Sequence, residues 1–262
     1  MRRDRNAYVF VLPSLFTTGN LFCGFYPIPQ SIHGDFRFAA LLILASGVFD
    51  VLDGRVARMT RSQSRFGVEY DSISDVVSFA VAPALMAYLW ALRPYGRVGV
   101  AISFLYVACG ALRLARFNTL ADDVPKSYFV GLPSPAAAIF LASLSIAHAE
   151  SAFSRPDILL LVALATLGIL MVSNIRYRAV KDFDLRHRRR FFALVFLVIA
   201  LTFIIIRPEA GLFALLSYYV AYGPVRELIG WIRRRPERKQ LRKIQTANRG
   251  PGHDPRPGDR KS

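Results

Sequence analysis

The stretch from Phe38 to Arg58, FAALLILASGVFDVLDGRVAR, is a long apolar run that ends in two aspartates, Asp50 and Asp53. A second pair, Asp71 and Asp75, follows at the start of the next apolar run. An aspartate at the centre of a membrane helix costs about 2.5–3.5 kcal/mol, so such residues are rare there and usually functional. The stretch therefore predicts membrane helices that carry an acidic site towards their ends.

The rest of the chain has the composition of a multi-pass membrane protein. Of its 262 residues, 53% are hydrophobic, and the mean hydropathy is +0.33. A helix needs about 20 mostly apolar residues to cross a bilayer, and about eight such segments fit. We predict an all-α integral membrane bundle with spans near residues 8–29, 36–57, 72–92, 98–117, 128–148, 157–175, 190–206 and 211–231.

Two regions of different composition follow from this pattern. Residues 1–232 are predicted to form the membrane-embedded domain. Residues 233–262 form a basic tail rich in Pro and Gly, which carries too little apolar surface to fold on its own. We expect that tail to be disordered and cytoplasmic.

The basic residues lie mostly on one side of the predicted topology. The chain has 34 Lys and Arg against 18 Asp and Glu. If the eight segments alternate from a cytoplasmic N-terminus, both termini are cytoplasmic. The translocated side then holds only Arg37, Arg93, Arg97, Arg155 and Arg207. Such a charge bias is typical of membrane proteins and attracts anionic membrane lipids, so we favour a membrane protein over a nucleic-acid-binding one.

The four aspartates form two pairs, and each pair shares a helix face. Asp50 and Asp53 are three residues apart, and Asp71 and Asp75 are four apart. If the polar loop between them folds back, the pairs meet at the cytoplasmic ends of two helices. Carboxylates at close range repel one another. Their oxygens suit hard divalent cations, so we predict one or two Mg²⁺ or Mn²⁺ ions here.

Residues next to the aspartates suit a substrate that carries phosphate. Gly54 would let the substrate approach the backbone closely, and Arg58 and Ser64 would bind phosphate oxygens. Two metal ions about 4 Å apart can clamp a transferring phosphoryl group. The pattern therefore indicates an enzyme that acts on a phosphorylated, lipidic substrate.

The complete spacing of this region is similar to a family signature. It reads D-x2-D-G-x2-A-R-x8-G-x3-D-x3-D, with its fixed positions at Asp50, Asp53, Gly54, Ala57, Arg58, Gly67, Asp71 and Asp75. It resembles the signature of the CDP-alcohol phosphatidyltransferases, integral membrane transferases of phospholipid biosynthesis. The resemblance implies that the four aspartates bind the metal ions, that Asp75 is the general base, and that the enzyme is a homodimer. It also implies that CDP-diacylglycerol is bound by Gly54, Ala57, Arg58, Ser64 and Gly67.

Four stretches resemble the bacterial and archaeal phosphatidylserine synthases within that family. They are Leu12–Gly24 (LPSLFTTGNLFCG), Glu69–Ser72 (EYDS) with Asp75 and Ser78–Pro83 (SFAVAP), Cys109–Asn118 (CGALRLARFN) and Phe129–Ala136 (FVGLPSPA). The resemblance implies that L-serine attacks the phosphorus attached to diacylglycerol and that CMP leaves. It also implies a prokaryotic cytoplasmic membrane, with the active site facing the cytoplasm. Two positions depart from the family pattern, Ser14 in place of Asn and Ala80 in place of Gly.

Two arginines and an asparagine are candidates for binding serine. Arg113 and Arg116 are three residues apart at the cytoplasmic end of a predicted helix. One of them can hold the serine carboxylate in a bidentate fork, and Asn118 can bond the amino acid or the CDP. The alternative is that these arginines only anchor a helix end at the membrane surface.

Two other functions stay open at this point. The first is a transferase of the same family whose acceptor carries a phosphate, such as glycerol 3-phosphate or inositol phosphate. The second is a divalent-cation transporter, which also needs acidic ligands inside the membrane. A transporter site lies near the bilayer midplane, whereas these aspartates lie towards the predicted cytoplasmic end.

Overall fold

The computed structural model describes residues 4–60, 64–120, 128–150, 156–178 and 211–227, and nearly all of them are helical. The first helices are α1 (Asp4–Phe25), α2 (Pro27–Ile32), α3 (Phe36–Thr60) and α4 (Arg65–Val76). A π-helical turn at Val77–Val81 joins α4 to α5 (Ala82–Ala87), and a second one at Tyr88–Leu92 follows α5. After a 3-10 turn at Arg93–Tyr95 come α6 (Arg97–Leu120), α7 (Ser134–Glu150), α8 (Pro156–Val172) and α9 (residues 211–227).

Where the structure describes them, the predicted apolar segments lie mainly in helices, apart from the start of segment 128–148 and the last residues of segment 157–175. The segment at 190–206 and the predicted domain boundary at residue 232 lie outside the described residues. Among the described residues, the helices Phe66–Tyr95 and Arg97–Thr119 are long and apolar enough to cross a membrane. Residues 1–220 form one compact unit. Of the second, Ala221–Ser262, the structure describes residues 221–227, which are helical.

The segment predicted as a helix over residues 128–148 begins six residues later, at Ser134. Residues Tyr128–Val130 instead form β1, which pairs antiparallel with β2 (Arg176–Arg178), so the all-α prediction missed this short pair. Gly131 has a φ of +82°, and a Cβ there would lie 2.2 Å from the Met171 carbonyl oxygen. Its amide donates to the carbonyl of Ile175 at 2.8 Å. These contacts with the end of α8 hold the chain out of helical geometry.

The core lies between α5, α6, α7 and α8, with a second cluster where α3 meets α7. Ala80, which replaces the glycine of the family pattern, fits this packing. Ala80 is fully buried, and a Cβ added to Gly110 of α6 would lie 2.9 Å from the Ala80 Cβ. The methyl group of Ala80 is therefore accommodated because residue 110 opposite it is a glycine.

The first π-helical turn is tied to α6 by a buried tyrosine. A π turn breaks the regular pattern of helical hydrogen bonds, so individual carbonyls can accept from other partners. Here the Tyr106 hydroxyl, in a fully buried side chain, donates to the Phe79 carbonyl at 3.2 Å. The bond fixes the turn against the neighbouring helix.

Replacing Tyr106 by phenylalanine is expected to lower the free energy of unfolding in detergent by about 1–2 kcal/mol, because the Phe79 carbonyl would lose this partner inside the core. Tyr26→Phe is the matched control, since Tyr26 lies at the surface, and it should change stability by less than about 0.5 kcal/mol. Equal stabilities of the two variants would contradict the assigned role of the bond.

Candidate active site

The aspartates of α3 and α4 come together at one place. One carboxylate oxygen each from Asp50, Asp71 and Asp75 lie within 4.8 Å of one another. Asp53, the remaining aspartate, accepts a hydrogen bond from Thr17 and is in side-chain contact with Asp71. The predicted meeting of the two pairs across the loop is therefore confirmed.

This acidic group fits a hard divalent cation. Asp53 and Asp75 are only 5% and 8% exposed, so little water screens the repulsion between the carboxylates. Within the described structure, Asp71 Oδ1 is buried and has no hydrogen-bond partner. An all-oxygen set with an unused, buried carboxylate oxygen is what Mg²⁺ or Mn²⁺ would bind. The site can thus hold a metal ion.

Helix α1 supports the acidic group from one side. The Thr17 hydroxyl donates to Asp53 Oδ2, and Asn20 Nδ2 donates to Asp75 Oδ1 at 3.1 Å. Both α1 residues are buried. The sequence analysis gave neither a role, although two polar residues three apart in an apolar helix mark a polar face.

The residues predicted to bind CDP-diacylglycerol lie on α3 and at the start of α4. Gly54 and Ala57 are half-buried on α3, and the predicted role of Arg58 falls on a side chain outside the described residues. Ser64 is the N-cap of α4, where its hydroxyl oxygen accepts from the Gly67 amide at 2.9 Å. The first amides of a helix lack partners within the helix, and helices bind phosphate through such amides.

The two candidate arginines have different surroundings. Arg113 is 9% exposed, its Nη1 donates to Ser134 Oγ at 2.9 Å, and it interacts electrostatically with Asp75 and Asp50. Arg116 instead bonds the end of α8, with Nη2 donating to Asn174 Oδ1 at 2.8 Å. Only Arg113 of the two is thus in electrostatic contact with the acidic group.

Three further polar side chains belong to this side of the site. Asn118 Nδ2 donates to the hydroxyl of Ser72 at 2.8 Å, which connects the end of α6 to α4. Tyr219, on α9, packs against the main core cluster and interacts with Arg113. The sequence analysis missed Ser72, Ser134 and Tyr219, because serines and tyrosines in apolar helices carry no signal of their own.

Comparison with known proteins agrees with this geometry. Residues 10–172, which include all four aspartates, match the family model described as CDP-alcohol phosphatidyltransferase. The chain belongs to the CDP-alcohol phosphatidyltransferase family, whose members are membrane enzymes.

Several relatives carry the name of one reaction. The chain is 38% identical to the CDP-diacylglycerol–serine O-phosphatidyltransferase of Helicobacter pylori over 222 residues, which cover 84% of this chain and 92% of the relative. It is 32% identical to the Mycobacterium tuberculosis protein of the same name, over 95% of this chain and 91% of the relative. An archaetidylserine synthase of Methanothermobacter thermautotrophicus is 37% identical, over 68% of this chain and 74% of the relative.

Proposed function

We propose that this protein transfers the phosphatidyl group of CDP-diacylglycerol to the hydroxyl of L-serine, giving phosphatidylserine and CMP. The observation that carries the proposal is the position of Arg113, a buried cation beside a group of carboxylates that can hold metal. Relatives named for the same reaction cover most of the chain, which supports this choice.

The aspartates provide the site for the diphosphate. Asp50, Asp53, Asp71 and Asp75 would hold two Mg²⁺ or Mn²⁺ ions, which when bound neutralise charge on the diphosphate. Gly54, Ala57 and Gly67 leave room for the nucleotide, while Arg58 and Ser64 bind its phosphate oxygens. The four carboxylates come from two helices, α3 and α4, and both pack against α1, so these three helices together set the position of the phosphorus.

Asp75 acts as the general base. Its side chain is 8% exposed, and Asn20 holds its Oδ1. Asp75 takes the hydroxyl proton of serine while the serine oxygen bonds to the phosphorus attached to diacylglycerol. The bond from that phosphorus to the CMP oxygen breaks, and CMP leaves with the electron pair.

Arg113 binds the carboxylate of serine. The Arg113 Nη1 donates to Ser134, which fixes the guanidinium. The Arg113 Nε is buried without a hydrogen-bond partner among the described side chains and backbone. A buried, unsatisfied N–H of this kind is costly unless a ligand takes it up. Arg116 and Asn118 lie three and five residues further along α6 and border the same end of that helix. An acceptor with a phosphate group would need several converging cations in this place.

The membrane setting forms part of the proposal. About eight spans, both termini in the cytoplasm and an active site that faces the cytoplasm of a prokaryotic cell are consistent with the distribution of Lys and Arg. The same distribution favours contact with anionic membrane lipids. We further propose a homodimer, by analogy with the family.

The test is release of CMP by the purified protein in detergent, with CDP-diacylglycerol and either Mn²⁺ or Mg²⁺. L-serine, glycerol 3-phosphate and inositol phosphate are added in separate reactions, and the lipid product is identified by mass spectrometry. We expect release with serine alone, a loss of more than about 100-fold on chelation, and recovery when the metal is returned. Release with a phosphorylated alcohol would overturn the proposal that Arg113 binds serine. Release with none of the three acceptors would overturn the proposal that this protein is a phosphatidyltransferase.

A further inference from the structure

Two buried polar side chains of α1 contact the acidic group, although neither belongs to the family signature. Thr17 and Asn20 are three residues apart and are 3% and 0% exposed. The first donates to Asp53 and the second to Asp75. Each contact joins α1 to a carboxylate on another helix, so α1 helps to hold the aspartates of the proposed active site.

The backbone of the same two residues is bonded to α4 and to the π turn after it. Ser74 donates to the Thr17 carbonyl at 3.2 Å, and Ser78 donates to the Asn20 carbonyl at 3.1 Å. Because Asp75 lies between these two serines in the sequence, α1 is fixed on both sides of it. The Asn20 amide therefore meets Asp75 at a defined position.

Asn20 is an unfavourable choice for packing alone. In the part of the chain that the structure describes, its Oδ1 is buried and accepts no hydrogen bond. An apolar side chain would fill this position without burying an unsatisfied polar atom. What the amide adds is the bond from Nδ2 to Asp75 Oδ1, which leaves the second carboxylate oxygen for the proton of the acceptor.

We propose that Asn20 is a positioning residue for Asp75, which orients the carboxylate for proton transfer. This inference rests on the proposed function, because it takes Asp75 as the base. Thr17 holds Asp53 in the same way, so a single face of α1 orients one aspartate from each of the two pairs.

The test compares Asn20→Leu with Ser78→Ala. Asn20→Leu keeps the number and branching of the heavy atoms and removes the donor, so kcat should fall about 10- to 100-fold while the KM for CDP-diacylglycerol changes less than about threefold. Ser78→Ala removes one of the two hydrogen bonds to the α1 backbone. It keeps the bond from Ser74 and the Asn20 amide itself, so its kcat should stay within about threefold. Asn20→Asp, which keeps the shape but places a carboxylate beside Asp75, provides a second variant if the leucine does not fold.

Binding of Mn²⁺ to the substrate-free protein, followed by electron paramagnetic resonance, gives an independent readout. It should weaken about three- to tenfold in Asn20→Leu and stay unchanged in Ser78→Ala. Unchanged kcat and unchanged Mn²⁺ binding in both Asn20 variants would overturn the inference, as would an equal loss of kcat in Ser78→Ala. If the wild-type protein releases no CMP with serine, the proposed function fails, and the Mn²⁺ comparison alone decides whether Asn20 positions Asp75.

Discussion

Replacing Asp75 by asparagine is expected to lower kcat about a thousandfold and to leave the helices assembled. A general base contributes roughly 10²–10⁴-fold to rate, and asparagine cannot take the serine proton. The substitution keeps the size of the side chain and an oxygen that can accept from Asn20 Nδ2, so packing between α1 and α4 is retained. The measurement is CMP release at saturating CDP-diacylglycerol and serine, with circular dichroism on the same preparation to confirm the fold.

The matched control for this variant is Asp35→Asn. Asp35 lies just before α3, where its Oδ1 accepts from the Phe38 amide at 3.0 Å, and asparagine caps helices about as well as aspartate. Its kcat should stay within about twofold of wild type. If Asp75→Asn keeps more than about a tenth of the wild-type kcat, Asp75 is not the base.

Replacing Arg113 by lysine is expected to reduce kcat/KM for serine about 100-fold, mainly through a higher KM for serine. Lysine keeps the positive charge near Asp50 and Asp75 but cannot form a planar fork around a carboxylate. The bond to Ser134 and the buried Nε–H would both be lost. The KM for CDP-diacylglycerol should change less than about threefold, since that substrate is held by α3 and α4. Initial rates of CMP release over a serine titration measure both constants.

Arg116→Lys is the control, because Arg116 is bonded to the end of α8 rather than placed beside the aspartates. We expect its KM for serine to stay within about threefold, with any cost confined to stability. An equal rise in the KM for serine in the two variants would contradict the distinction drawn between Arg113 and Arg116. An unchanged KM in Arg113→Lys would exclude Arg113 from the serine site.

The acidic group could be predicted because its geometry is local. Helical spacings of three and four put each pair of aspartates on one face, and α4 begins only five residues after α3 ends. The contacts made by α1 could not be predicted in this way. Thr17 and Asp53 are 36 residues apart in sequence, and Asn20 and Asp75 are 55 apart. No local pattern specifies which faces of such distant segments meet.

The same limit applies to the arginines and to the start of α7. Arg113 and Arg116 share a helix face, so the sequence left both as candidates for binding serine. The structure distinguishes them through partners on other elements, Ser134 on one side and Asn174 on the other. The late start of α7 likewise depends on hydrogen bonds to the end of α8. Helix propensity reflects only the local sequence and so cannot predict these bonds.

The π-helical turn at Val77–Val81 lies inside one continuous helix, Phe66–Tyr95. It sets how far the part before the turn is rotated about the helix axis relative to the part after it. A π turn holds an additional residue, and each residue turns an α-helix by about 100°. The direction in which Asp71 and Asp75 point is therefore set separately from the direction of the apolar face beyond the turn. If the same residues formed a regular α-helix instead, the additional residue would rotate the acidic end relative to that face by about 100°. Asp71 and Asp75 would then point away from α3 with every aspartate still present.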